Sequence, residues 1–78
     1  MELAMIRDHL ALARQHVALG ERHISRQREI VAQLNGSGRD NCDARTLLRL
    51  FEDCQKLHVA GRDRLELMLA EELRRQAG

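Results

Sequence analysis

Seven-residue units follow one another without a gap from Leu3 to Ser37: LAMIRDH, LALARQH, VALGERH, ISRQREI and VAQLNGS. The first place is always a branched aliphatic (Leu3, Leu10, Val17, Ile24, Val31) and the second always small (Ala4, Ala11, Ala18, Ser25, Ala32). The seventh is histidine three times running, at His9, His16 and His23. A strict seven-residue period keeps an apolar stripe in line over many turns only when the helix winds around another helix. The chain is therefore constrained to helix-on-helix packing before any other residue is considered.

The partner helix lies in the same chain. The only break is Asn35-Gly36-Ser37-Gly38-Arg39-Asp40-Asn41, rich in residues that end helices through the left-handed conformation. Asp40 or Asn41 can cap the next helix, and Asp43 sits where the helix dipole favours a carboxylate. Proline is absent, and Leu, Ala, Arg, Glu and Gln dominate, as in long helices. This predicts one domain over residues 1–78, with a first helix at about 2–34, a turn at 35–41 and a second helix at about 42–76. So short a turn makes the pair an all-α antiparallel hairpin.

Spacings alternating three and four place the seam of helix 1 at Leu3, Ile6, Leu10, Ala13, Val17, Gly20, Ile24, Gln27, Val31 and Leu34. The same rule selects Ala44, Leu47, Phe51, Cys54, His58, Gly61, Leu65, Met68 and Glu72 in helix 2. A reversal near residues 38–40 would set Gly20 against His58, Ala13 against Leu65 and Gln27 against Phe51. Cys54 is expected to be buried and inert, and Cys42, near the turn, exposed.

Apolar residues exceed what one seam can hold. Met5, Leu12 and Leu19 alternate with His9, His16 and His23 on a second stripe of helix 1, and helix 2 adds Leu48, Leu50, Leu57, Leu69 and Leu73 outside its seam. Patches of that extent mark association. The expected closure is an isologous homodimer forming a four-helix bundle, with Met5, His9, Leu12, His16, Leu19, His23, Leu50 and Leu57 at the interface.

Several function classes lose ground on composition. A net charge of +1 and a single aromatic residue, Phe51, argue against nucleic-acid binding, because stacking platforms are missing. No apolar run approaches the ~18 residues of a membrane span, and no signal-peptide pattern opens the sequence. The two cysteines lie too far apart along a helix to pair, which suits a reducing cytoplasm. No enzyme is expected: Gly36-Ser37-Gly38 lacks the strand and lysine of a phosphate loop, and no nucleophile has an evident base. His23-Ile24-Ser25-Arg26 lacks the acidic residue and proline that accompany the phosphoryl-accepting histidine of sensor-kinase hairpins.

Histidine invites a metal reading. Neighbours in the His9, His16, His23 column stand about 10.5 Å apart along the axis, too far to share an ion held by ~2.1 Å bonds. Their partners four residues on, Ala13, Gly20 and Gln27, are not ligands. No metal or cofactor is expected. A metal or haem site between helices, using His16 or His23 with His58, is the alternative. His58 itself is expected to fill space on the seam as a neutral, hydrogen-bonded ring, or else to act as a pH switch.

Arginines cluster at Arg22, Arg26 and Arg28, at Arg39, Arg45 and Arg49, and at Arg62 and Arg64. In shape and length the chain resembles the plasmid copy-number protein Rop, a dimeric hairpin that binds structured RNA, although no Rop motif is present. That resemblance implies RNA binding as a rival reading. Against it, Glu29 stands near Arg26 and Asp53 near Arg49, the spacing of ordinary exposed helix pairs.

HVALGERHISRQREIVAQL (His16 to Leu34), Ala44-Arg45, Leu47-Leu48, Phe51-Glu52, and Leu57-His58-Val59-Ala60 leading into Arg62-Asp63-Arg64-Leu65 together resemble a group of small proteobacterial helical-hairpin proteins. The resemblance spans most of the chain and implies a bacterial cytoplasmic origin. No activity is assigned to that group, so it transfers no functional residue. The expected protein is a non-enzymatic, self-associating hairpin that works as a protein-interaction or small regulatory module.

Overall fold

A computed structural model describes residues 1–78 as two antiparallel α-helices, α1 (Leu3–Gly36) and α2 (Cys42–Ala77), packed on each other. The Cα trace is a rod of 62 × 14 × 14 Å with a radius of gyration of 17.7 Å. A compact chain of this length would have about 11.5 Å.

Local chemistry explains where α1 stops. The Ser37 amide donates to the Gln33 carbonyl (3.1 Å), and the Ser37 hydroxyl donates to the carbonyls of Gln33 (3.1 Å) and Leu34 (3.2 Å), so the last turn finds partners as far as Gly36. The left-handed position falls on Gly38 (φ +69°) rather than on Asn35 or Gly36, and it is the only positive φ in the chain. The Asp40 carboxylate accepts the Cys42 amide (2.9 Å) at the start of α2. The Asn41 side chain instead donates to the Asn35 side chain (2.7 Å), tying the two helix ends together.

Only five residues are buried, and all belong to α1: Ile6, Leu10, Val17, Ile24 and Gln27. They are the predicted seam of that helix. On α2 the half-buried stripe is Ala44, Leu48, Phe51, Gln55, His58, Arg62, Leu65, Leu69 and Glu72. It shares Ala44, Phe51, His58, Leu65 and Glu72 with the expected seam, but Leu48 and Gln55 take the places given to Leu47 and Cys54, which are exposed; the expected Gly61 and Met68 are half-buried as well, beside Arg62 and Leu69. Cys54 is exposed, not buried. The helix is rolled by the difference between a step of three and a step of four. That roll brings Glu52 to Arg28 (3.3 Å) and Glu66 to Arg14 (3.5 Å), and lets Gln55 reach α1.

The register also differs from expectation. Gln55, about one turn before His58, lies against Gly20. His58 stands beside His16, and Phe51 beside His23 rather than opposite Gln27, with both pairs of ring centroids 5.7 Å apart. The reversal is centred nearer Ser37 than expected because Ser37 already closes α1 and Gly38 turns at once. Ala13 and Leu65 do line one hollow together.

Candidate interaction face

The seam divides the rod into two unlike sides. On one side the flanking columns of α1 are His9, His16, His23 and then Met5, Leu12, Leu19. On the same side α2 presents Leu47, Cys54, Gly61, Met68 and then Leu50, Leu57. Two hollows run along this face between the helices. One, of about 240 Å³, is lined by His9, Leu12, Ala13, His16 and Leu65; the next, of about 230 Å³, by His16, Leu19, Gly20, His23 and His58.

Every predicted interface residue lies on this face, and all eight are exposed. Leu12, Leu50 and Leu57 leave 52%, 56% and 73% of their surface to water. Leu47, assigned by sequence to the seam, joins them. From Met5 to His23 and from Leu47 to Met68 these columns carry no carboxylate, and their one charged residue is Arg64; Arg26 follows at the edge.

The opposite side is a water-facing surface. Arg14–Glu66 and Arg28–Glu52 bridge the two helices there, and a hollow of about 450 Å³ is bordered by Arg28, Glu52, Lys56 and Asp63. Exposed pairs of this kind contribute less than ~1 kcal/mol each, but they show which side the chain equips for solvent. Five of the twelve arginines pair with carboxylates: besides Arg14 and Arg28, Arg26 bonds Glu29 (3.3 Å), Arg62 bonds Asp63 (3.0 Å) and Arg75 bonds Glu72 (2.7 Å). Asp53 pairs with Lys56 (3.7 Å) and not with Arg49.

Two glutamines cross the seam and were not legible as functional positions. The Gln27 amide donates to the Ala44 carbonyl (2.9 Å), and the Gln55 amide donates to the Val17 carbonyl (2.8 Å). Each bond holds a side chain of one helix to the backbone of the other, so together they fix the register. Gln55 depends on Gly20, because a Cβ there would occupy the place of its carboxamide. The one advance sign was a glycine at a seam position of a helix that otherwise avoids it.

That relation is testable. Gln55→Ala is expected to cost about 1 kcal/mol by removing a cross-helix hydrogen bond. In a Gly20→Ala background, where the carboxamide is already displaced, it should cost less than half as much. Urea unfolding of the four variants measures the coupling; additive costs would show that Gly20 does not seat Gln55.

The Gln55 bonds also orient His58. With the Gln55 amide nitrogen on the Val17 carbonyl, its Oε1 faces His58 Nδ1 at 3.3 Å. Oε1 can only accept, so in this contact Nδ1 is the donor.

No group of three His, Cys, Asp or Glu side chains within the chain is placed to hold a metal ion, although His16, His23 and His58 all border the second hollow. No helix is long and apolar enough to cross a membrane. The chain matches no family model, no curated protein and no solved structure.

Proposed function

We propose that the protein is a non-enzymatic interaction module in which two copies close their His–Leu faces on each other to form a four-helix bundle. The charged sides then face outward and are offered to a further macromolecular partner. The observation that carries this reading is the one-sided surplus of apolar surface. The hairpin exposes 5806 Å², whereas a compact monomer of 9.0 kDa exposes about 4,900 Å². A rod of 62 × 14 × 14 Å exposes more surface than a globule of its mass, and on the His–Leu side that surface carries the exposed Leu12, Leu19, Leu47, Leu50 and Leu57. Two free thiols suit a reducing cytoplasm as its place of work.

RNA binding has less support, because Arg14, Arg26, Arg28, Arg62 and Arg75 are already held by carboxylates. A salt-sensitive shift of structured RNA would favour it over the present reading.

The two cysteines supply an internal comparison. Cys54 lies on the proposed interface and Cys42 outside it, yet both are exposed in a single hairpin. Light scattering should give twice the 9.0 kDa chain mass. A thiol reagent should then modify Cys54 at least ~10-fold more slowly than Cys42, because association shields what it buries. A monomeric mass with equal rates would overturn the proposal.

A further inference from the structure

Taking the dimer just proposed as its basis, we infer that His16 and His58 of both copies form a binding site for a borderline divalent transition metal, of which Zn²⁺ is the type. Four observations lead there. The two rings stand 5.7 Å apart between centroids and tilted by 46°. Imidazoles bound to one tetrahedral ion through ~2.0–2.1 Å bonds have centroids about 5–6 Å apart, so the pair already has the spacing of two ligands.

The second observation is the contact that orients His58. Metal-bound histidines are held by a hydrogen bond from the other ring nitrogen, which fixes the ring. His58 Nδ1 is engaged in this way by Gln55 Oε1 (3.3 Å), and Gln55 is itself fixed by the Val17 carbonyl (2.8 Å). A supporting shell thus stands behind Nε2 before any ion arrives.

The third is room. His16 and His58 border a hollow of about 230 Å³ that Leu19, Gly20 and His23 complete. No acidic residue lines that hollow, so neutral imidazole is the donor on offer, which selects zinc, cobalt, nickel or copper over calcium and magnesium.

The fourth is position. The apolar face runs from Met5 to His23 on α1 and from Leu47 to Met68 on α2, and His16 and His58 lie within about one turn of the middle of each run. An isologous dimer that overlaps these faces fully sets the middle of one against the middle of the other. The two ligands of one chain then meet the same two of a second copy. One chain alone supplies too few donors, consistent with the absence of any three-ligand cluster within it. The column that could not share an ion along a single helix contributes one member per chain to a site across two.

The test uses untagged protein, titrated with Zn²⁺ by calorimetry and with Co²⁺ by visible absorption, and light scattering on the metal-free and loaded forms. The expected result is one ion for every two chains, the intense visible absorption of tetrahedral Co²⁺, and affinity lost at least ~10-fold in His16→Ala and in His58→Ala. Cys42→Ala, outside the proposed interface, should leave binding unchanged. His16 is exposed, so its variant keeps the fold and guards against misreading a folding defect in His58→Ala. A dimer that binds no ion, or binds it equally well without His16, overturns the metal site and leaves the dimer standing. A monomer at every metal concentration overturns both.

Discussion

Leu10→Ala is expected to destabilise the hairpin by about 3 kcal/mol, the middle of the range for emptying a buried leucine site. Leu10 is 2% exposed, and only Ile6, Val17 and Ile24 share its status among the aliphatic residues. With four such side chains in the whole molecule, each supplies a large share of a stability that is small in any domain of this size. The seam has little scope to close over the gap, because α2 contributes only half-buried residues to it. Circular dichroism at 222 nm through a urea titration reads the loss. Leu67→Ala is the control: Leu67 is 57% exposed and away from both seam and interface, so its cost should stay below ~0.5 kcal/mol. Equal costs for the two variants would mean that Leu10 is not in the core.

Leu57→Asp is expected to leave the hairpin folded and to abolish self-association. The side chain is 73% exposed, so a single hairpin loses almost nothing when it changes. Twofold symmetry makes the substitution count twice in a dimer. Burial of one leucine contributes about 1.5–3 kcal/mol, so two lost copies remove roughly 3–6 kcal/mol, and burying two carboxylates adds to the cost. A loss of 4 kcal/mol corresponds to a factor of ~10³ in the dissociation constant. Sedimentation equilibrium of wild type and variant at equal concentration measures it. A variant that still weighs two chains would place the interface elsewhere, and helicity retained to within a few per cent confirms that only association was lost.

The seven-residue period made the hairpin legible because supercoiled packing is a property of spacing, and spacing is visible in a string of letters. It identified Ile6, Leu10, Val17, Ile24 and Gln27 for the same reason. It failed on α2 where leucine stands at both Leu47 and Leu48. When apolar residues occupy both the third and the fourth step, the period cannot tell which faces inward. Cys54 and Gln55 posed the choice in its sharpest form, and hydrophobicity favoured the wrong one. What decided it was a hydrogen bond to the Val17 carbonyl together with the Arg28–Glu52 and Arg14–Glu66 pairs, all of which depend on the neighbouring helix. The exposed His–Leu stripe could be read in advance because it repeats the period of the seam one column over. The Gln55–His58 contact could not, since it follows from which way a glutamine amide points.

The turn has a consequence for the shape of the whole molecule. Two long helices with a matched stripe have a second way to satisfy it: the chain can straighten into a single continuous helix and exchange halves with another copy, a domain-swapped form that reproduces the same seam between chains. What separates the two outcomes lies in a handful of atoms. Gly38 bends where other residues would resist, Ser37 closes α1, and the Asn41 amide holds the Asn35 side chain across the reversal. The seam determines that helices pair, but these few polar contacts determine that each chain pairs with itself.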